Sequence, residues 1–400
     1  MSNPANGAGL APPPPDIYVE VMTLARRLGA VNLAQGFPED DTADLVAAMA
    51  PAVRTGDTQY EALSGLPLLR TELALRAERC GLRYDPEDEV TVTLGCTEAV
   101  AAALLAVVPP GSEIVTMEPF YDNYPGLAKM VGATLVPVPL AGLDGAGSLG
   151  LDVAALRAAI TPRTRVILLN TPNNPAGHMI TAAEADEIAR LAVAHDLVVV
   201  TDEVYEEHTY DRPHIRLAGY PGMRERTIVC SSASKLLSVG GWRIGWVYAP
   251  RELTALVQHH HRHLTFTAPT PLQAGVAAGL RWADETGYHD RLRAEYRRRR
   301  DILVSGLTSL GLTPRIPPGG FFVTADVAPW TAGASIEDLA RSLVSDTGVA
   351  ALPMGDFFRD PGAAGSTLRF AFCKPAPVLE EAVRRLGARF GSARPAPRTT

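Results

Sequence analysis

A lysine and an arginine eight residues apart are the residues whose types and spacing most directly suggest chemistry. Lys235 closes the segment 231–235, which is rich in small hydroxyl residues, and Arg243 lies within 241–246. A lysine amine can form a Schiff base with an aldehyde, and small neighbours leave room for a phosphate beside it. Pyridoxal phosphate supplies both groups. Alone, this segment is more often a surface lysine in a serine-rich turn, so the prediction depends on the remaining parts of such a site.

A candidate phosphate turn follows the predicted strand 90–94. Gly95, Cys96 and Thr97 lie where the next helix begins. Glycine permits a close backbone approach, and the free N–H groups of a helix N-terminus can bind phosphate. The alternative is an ordinary helix capped by Thr97, with Glu98 in its first turn.

Polar residues just after strands are candidates for contacts with the cofactor ring. Asp202 ends a predicted strand, where a carboxylate can keep the pyridine nitrogen protonated and the ring a better electron sink. Tyr205 and Asn174 could both reach the ring's phenolic oxygen, Asn174 from a loop stiffened by two prolines and a glycine. Tyr121 could stack on the ring. Each of these residues, taken alone, also fits a cap, a turn or core packing.

Arg369 is the candidate for binding a substrate carboxylate. It lies inside the apolar segment 368–372, where a guanidinium is costly unless it is paired. Its planar fork suits a bidentate contact with a carboxylate. A buried structural ion pair is the competing explanation.

Short β-branched runs alternate with helical patterns from about residue 90, which predicts an α/β fold. The predicted strands are 90–94, 113–117, 134–138, 165–170, 197–202, 227–231 and 243–248. We expect a three-layer αβα large domain with a mostly parallel seven-stranded sheet. Its ligand should bind beyond the carboxyl ends of the strands, where the candidate residues fall.

The pattern divides the chain into four predicted segments. Residues 1–15, which end in four prolines, should form a disordered arm, and residues 16–45 the N-terminal segment of a small domain. Residues 46–285 should form the large cofactor-binding domain. Residues 286–400 should form the C-terminal part of the smaller α+β domain.

Composition and charge narrow the class of protein. The net charge of −7, from 37 basic and 44 acidic residues, argues against binding to nucleic acid or to a membrane surface. Four scattered cysteines without a C-x-x-C pair predict free thiols and no zinc site. We find no signal peptide and no apolar stretch long enough to span a bilayer, and we therefore expect a cytoplasmic protein.

Taken in order, these residues resemble the class I/II aminotransferases, which are fold-type I pyridoxal phosphate enzymes. The resemblance covers roughly residues 17–390, and the kynurenine, glutamine and methionine aminotransferase branch is the most similar. The motifs that carry it are 32–38 (Asn-Leu-Ala-Gln-Gly-Phe-Pro), Gln59-Tyr60 with 65–67, Gly95, 119–121, 173–177, 202–205, 232–235, Arg243 and Arg369.

The resemblance implies a role for each candidate. Lys235 carries the Schiff base and moves the proton at the substrate Cα, and Asp202 pairs with the pyridine nitrogen. Asn174 and Tyr205 contact the phenolic oxygen, while Tyr121 stacks on the ring. The residues implied in phosphate binding are Gly95, Cys96, Thr97, Ser232 and Arg243.

The resemblance also implies a shared site and a substrate clamp. Gly36 and Arg369, with Asn174, would bind the substrate carboxylate. Tyr60 would reach the phosphate of the neighbouring subunit, so a homodimer with shared active sites is expected.

Three features depart from the family's pattern. Cys96 stands where Ala or Gly is more usual, so the turn is tighter or the thiol faces the substrate. Gly240 and Gly241 leave extra room near the cofactor. His259 and His263 share one helical face, where a metal site is conceivable, but we expect a solvated or interfacial face and no metal.

Transamination is the predicted reaction: an amino acid leaves its nitrogen on the cofactor, and a 2-oxo acid collects it in a ping-pong cycle. No second arginine is placed for a dicarboxylate, which favours apolar, aromatic or sulfur-containing substrates. The alternative is elimination, replacement or cyclisation in specialised metabolism on the same fold. A ligand-sensing regulator is a third possibility, disfavoured because the chain has no helix-turn-helix extension.

Overall fold

The computed structural model of the chain describes residues 16–143 and 148–391. The predicted arm at residues 1–15 lies outside the described residues. The helices, in chain order, are α1 (Ile17–Leu28), α2 (Ala43–Thr55), α3 (Pro67–Arg79), α4 (Cys96–Val107), α5 (Tyr124–Met130), α6 (Val153–Ala159), α7 (Ala182–Ala194), α8 (Ala233–Leu236), α9 (Arg251–Leu264), α10 (Thr270–Thr286), α11 (Tyr288–Ser309), α12 (Ala328–Thr331), α13 (Ile336–Ser342) and α14 (Ala376–Phe390). The strands are β1 (Val31–Asn32), β2 (Val90–Thr93), β3 (Glu113–Glu118), β4 (Thr134–Ala141), β5 (Gly150–Leu151), β6 (Thr164–Asn170), β7 (Val198–Asp202), β8 (Thr227–Ser232), β9 (Gly245–Tyr248), β10 (Phe322–Asp326), β11 (Val349–Ala350), β12 (Leu352–Pro353) and β13 (Thr367–Ala371).

The largest sheet contains eight strands in the order β2-β9-β8-β7-β6-β3-β4-β5. Neighbours from β8 to β4 pair in parallel, whereas β9 is antiparallel to both β2 and β8. All seven predicted strands are present. The eighth, β5, is a two-residue edge strand antiparallel to β4 and is too short to give a sequence pattern. Strand β9 begins two residues later than predicted, because Arg243 has a left-handed backbone with φ of 55°.

Helices cover both faces of this sheet because side chains alternate along its buried strands. Val166 and Val200 pack in one apolar cluster with α4, α5 and α9. Ile167 and Val199, their chain neighbours, pack on the other face with α6 and α7. These layers confirm the predicted three-layer α/β fold. None of the described helices is both long and apolar enough to cross a membrane.

A second, antiparallel sheet has the strand order β10-β13-β12, and β1 pairs in parallel with β11 beside it. Strand β1 comes from the N-terminal segment and β11 from the last quarter of the chain. This pairing supports our proposal that residues 16–45 and 286–400 form one small domain. Strand β13 places Arg369 in register with Thr324 of β10 and Leu352 of β12.

Candidate active site

A cavity of about 750 Å³ lies beyond the carboxyl ends of the parallel strands, where ligands of such sheets bind. It is lined from both sheets and from the loops that follow their strands. The predicted residues that line it are Gly36, Cys96, Thr97, Tyr121, Asn174, Asp202, Tyr205, Lys235, Arg243 and Arg369. The fold thus brings together residues from both ends of the chain.

Lys235 lies in the short helix α8, directly after β8. Its Nζ donates a hydrogen bond of 2.8 Å to the carbonyl oxygen of Gly36. Burial, with a smaller contribution from the nearby Arg243 and Arg369, lowers the pKa of Lys235 to about 8. A larger fraction of the amine is therefore neutral near pH 7 than in a solvated lysine, as a Schiff-base nucleophile requires.

Asp202, the last residue of β7, lines the cavity. Its Oδ2 accepts a 3.0 Å hydrogen bond from the hydroxyl of Tyr124, and its Oδ1 lies 3.5 Å from the Sγ of Cys96. Burial raises the pKa of Asp202 to about 6, and the hydrogen bonds from Tyr124, the Val204 N–H and Cys96 oppose that rise. A buried carboxylate of this kind suits a protonated ring nitrogen.

The turn before α4 is shaped for an anion. Gly95 has φ 80° and ψ 170°, a conformation essentially restricted to glycine. A Cβ on Gly95 would collide with the guanidinium of Arg243. Among the described residues no side chain caps α4, so the alternative of a Thr97 cap does not hold, and the N–H groups of Cys96 and Thr97 remain available. A helix N-terminus beside a guanidinium fits a phosphate.

Arg369 is buried without an ion-pair partner among residues 16–143 and 148–391. Its Nη1 donates to Oδ1 of Asn174 at 2.8 Å and its Nη2 to the carbonyl of Ala34 at 2.9 Å. Its Nε has no hydrogen-bond partner within the described chain, and no carboxylate there forms an ion pair with it. The structural ion pair that we considered is therefore not found in the described part of the chain. Burial lowers the pKa of Arg369, so an incoming carboxylate would relieve an unfavourable charge.

Three predicted residues do not line the cavity. Ser232 is fully buried, and its Oγ contacts the Oγ of Ser234 at 2.6 Å; Ser234 reaches the cavity instead. Gly95 lies in the turn itself. Tyr60 is 82% exposed, and its ring packs edge-on against Phe266 with 5.6 Å between centroids. The roles of Ser232 and Tyr60, like those of the other candidate site residues, remain predictions.

Several cavity residues were not identified by the sequence analysis. They are Tyr18, Asp122, Tyr124, Ser234 and Phe322. A second tyrosine three residues after Tyr121 was the available signal for Tyr124, whereas Tyr18 belongs to no local motif. Ser234 was overlooked because it stands beside the predicted Ser232.

The unusual glycines and histidines have different surroundings. Gly240 and Gly241 line the cavity, and a Cβ on Gly241 would meet no atom within 4 Å, so the extra room is present. His259 and His263 lie on the exposed side of α9 with ring centroids 5.3 Å apart. No group of three metal-ligating side chains occurs in the part of the chain that the structure describes. His261, which the sequence analysis did not single out, is fully buried.

Together these groups fit pyridoxal phosphate. The cavity has an amine with a lowered pKa, a buried carboxylate for the ring nitrogen and an anion site formed by a glycine turn and Arg243. It also has a buried guanidinium whose Nε has no hydrogen-bond partner among the described residues and which suits a carboxylate. Each group is suited to bind a different part of a cofactor–amino acid adduct.

Comparison with known proteins gives consistent matches. The sequence profile of the family "Aminotransferase class I and II" matches residues 29–386. The chain is 44% identical over 382 residues to probable N-succinyldiaminopimelate aminotransferase DapC of Mycobacterium tuberculosis, covering 92% of this chain and 95% of that protein. It is 32% identical over 400 residues to kynurenine–oxoglutarate transaminase 1 of Mus musculus, covering 92% and 94%. The solved structure of N-succinyldiaminopimelate aminotransferase from Mycobacterium tuberculosis aligns with a TM-score of 0.88 and 41% identity, over 97% of this chain and 99% of that one.

Proposed function

Because this chain belongs to the class I and II aminotransferases of fold type I, we propose that its substrate is an acylated diamino acid of the N-succinyldiaminopimelate type. The family's reaction is pyridoxal phosphate-dependent transfer of an amino group to a 2-oxo acid, and the chain is an enzyme of that kind. This membership favours transamination over elimination, replacement or cyclisation.

The 44% identity over 92% of the chain carries the substrate proposal, since the kynurenine relative reaches only 32%. The cavity supports it: about 750 Å³ is within the range of a site for a drug-sized ligand and accommodates a long substrate arm beside the cofactor.

Within this proposal each residue has one task. Bound pyridoxal phosphate supplies an electron sink for the electrons of the substrate's Cα–H bond. The amine of Lys235 takes the Cα proton, Asp202 holds the positive charge on the ring nitrogen, and Arg369 binds the α-carboxylate through its fork. Gly36 presents its carbonyl to Lys235 and so helps to orient the amine.

A neutral aromatic or sulfur-containing amino acid is the second candidate. The cations lining the described cavity are Lys235, Arg243 and Arg369, all of which already have a task. Within one chain no further cation of the described residues remains for a distal carboxylate, whereas Phe37 and Phe322 offer apolar contacts. This matches the relatives named for kynurenine and methionine.

A donor panel separates the two candidates. The holoenzyme would receive N-succinyl-diaminopimelate, kynurenine or methionine with 2-oxoglutarate, and kcat/KM would be measured for each donor. The first proposal requires N-succinyl-diaminopimelate to exceed both others by at least about tenfold, the discrimination that 1.4 kcal/mol provides. A higher value for kynurenine or methionine would replace it with the second candidate.

We also propose that the working unit is a homodimer. The ring of Tyr60 contacts Phe266, which is 45% exposed, and α9, which ends two residues before Phe266, exposes Leu256 and Leu264 at 48% and 39%. Exposed apolar and aromatic side chains of this kind support an interface at this part of the surface. Light scattering coupled to size-exclusion chromatography should give twice the chain's mass of 42.6 kDa.

A cytoplasmic location is the third part of the proposal. The four cysteines are free thiols, and three of them are buried. Free thiols persist in a reducing compartment. Fractionation of cells that express the full chain would test this location.

A further inference from the structure

The orientation of the Cys96 thiol gives the phosphate turn a second contact. Cys96 is the first residue of α4, so its backbone lies beside the anion site. Its Sγ lies 3.5 Å from Oδ1 of Asp202. One residue therefore touches both the turn for the phosphate and the carboxylate for the ring.

Asp202 receives one side-chain donor on each carboxylate oxygen. The hydroxyl of Tyr124 donates to Oδ2 at 3.0 Å, and the thiol of Cys96 faces Oδ1. Cys96, Tyr124 and Asp202 are 8%, 1% and 6% exposed, so water has little access to this carboxylate. A buried carboxylate needs such donors in place of water.

The protonation states agree with this arrangement. Burial, together with the charge of Asp202, raises the pKa of the Cys96 thiol well above its ordinary value, so the thiol keeps its proton and can donate it. A carboxylate oxygen can accept about two hydrogen bonds. Oδ1 receives the Cys96 thiol and the Val204 N–H, and Oδ2 receives the Tyr124 hydroxyl, so the ring nitrogen can still bind Oδ2.

We propose that Cys96 is a positioning residue for the cofactor ring, because its thiol donates a hydrogen bond that keeps Asp202 ionised and orients its carboxylate. Without a donor at this position, Oδ1 is a buried acceptor without that side-chain partner, and Asp202 takes up a proton at a higher pH. A protonated Asp202 no longer stabilises a positive ring nitrogen, so the cofactor is held less tightly.

Other titratable and charged groups also surround Asp202, and one of them provides the control for the test. The titratable or charged groups facing Asp202 or Cys96 are Tyr121, Tyr124, Glu203, Tyr205, Cys230, Lys235 and Arg243. Cys230 is the matched control, because it is a buried thiol paired in register with Asp202 from β8. Both thiols pack in the same apolar cluster.

The experiment compares C96A, C96S, C230A and Y124F with the wild type in two measurements that need no substrate. The first is the dissociation constant of pyridoxal phosphate. The second is the acid midpoint, the pH below neutrality at which the holoenzyme's visible absorption spectrum is halfway through its change. C96A should weaken cofactor binding by about threefold to tenfold, the range of a single hydrogen bond, and should move the acid midpoint to higher pH. C96S keeps a donor and should stay within about twofold of the wild type.

Y124F removes the donor on the other oxygen and shows how large such a shift is in this protein. The proposal is overturned if C96A matches the wild type while Y124F shifts. It is also overturned if C230A changes as much as C96A, which would indicate packing alone, or if C96S behaves like C96A.

Discussion

At the scale of single residues, burial changes the pKa and the hydrogen bonding of the reactive side chains without any bound ligand. Burial lowers the pKa of both Lys235 and Arg369, and the nearby Arg243 and Arg369 add to the lowering at the lysine. Arg369 donates hydrogen bonds to Asn174 and Ala34, which offset part of the cost of its burial, and its Nε has no partner in the described part of the chain. The cost of burying these charges is offset by what they bind.

The lowered pKa of Lys235 predicts how the cofactor-free protein captures pyridoxal phosphate. Only the neutral amine attacks the aldehyde, so the rate of capture should rise with pH and level off just above pH 8, the value to which burial lowers this pKa. Stopped-flow absorbance measures the rate. Nα-acetyl-lysine is the control, since its rate should keep rising to about pH 10.4. A protein profile that follows the control would contradict the role of burial.

Replacing Arg369 should weaken substrate binding more than cofactor binding. R369A removes a buried fork and should lower kcat/KM about a hundredfold, the equivalent of roughly 3 kcal/mol for a charge-assisted pair. R369K keeps the charge but not the bidentate geometry and should fall between R369A and the wild type.

The readouts are steady-state kinetics for donor and acceptor and the dissociation constant of the cofactor. If R369A loses cofactor and substrate affinity to the same extent, the guanidinium serves the architecture of the site and not the substrate carboxylate.

At the scale of elements, α9 contacts the first turn of α4, which directly follows the phosphate turn at Gly95. The buried Nδ1 of His261 contacts Oε1 of Glu98 at 2.9 Å, and Oε2 of Glu98 accepts the Leu94 N–H at 2.9 Å. Glu98 lies in the first turn of α4, so this pair joins α9 to the residues just before Gly95. The pair links α9 to the cofactor site.

Removing His261 should therefore loosen the turn. H261A leaves Glu98 buried without that partner, which should cost about 1–3 kcal/mol of stability and weaken pyridoxal phosphate binding. H263A, two residues along the same helix and exposed, is the matched control. Differential scanning fluorimetry gives the Tm, and cofactor titration gives the affinity. Equal effects of H261A and H263A would show that the helix and not the Glu98 contact is responsible.

At the scale of the whole molecule, the proposed homodimer places Tyr60 in the partner's site. In one chain Tyr60 lies outside the cavity and 82% exposed, which supports a role across an interface. In a shared site, a defect in one chain damages the active site of the other. A self-contained subunit would not show this effect.

Mixing two inactive variants tests the shared site. If Tyr60 acts in the partner's site, a dimer of one K235A chain and one Y60A chain has one site with neither defect. After subunit exchange of equal amounts, activity should recover to about a quarter of the wild type, since half the dimers are mixed and each has one intact site. Each variant mixed with itself is the control. Lack of recovery despite confirmed exchange would place Tyr60 outside the partner's site.

The sequence alone allowed the main elements of the fold to be predicted. The seven predicted strands and the α/β layers are confirmed, because apolar runs and turn residues are local properties of the chain. Strand β5 was missed because two residues give no periodic signal. The family and its cofactor were also predictable, since residues such as Asp202, Lys235 and Arg243 follow in a characteristic order.

The tertiary structure decided which side chains meet. Lys235 and Gly36 are 199 residues apart, and Arg369 and Ala34 are 335 apart, so no local pattern specifies their contacts. Ser234, not Ser232, reaches the cavity, and His261, not His259 or His263, is buried, because neighbouring side chains on a turn or helix point in different directions.

The sequence by itself thus determined the family, the cofactor and the order of the chemical groups, since those depend on residue types along the chain. Only the tertiary structure decided that the thiol of Cys96 faces Asp202, that Tyr124 shares that carboxylate and that Arg369 has no charge partner among the described residues. Those properties depend on distance and burial, which arise when distant segments pack together and exclude water.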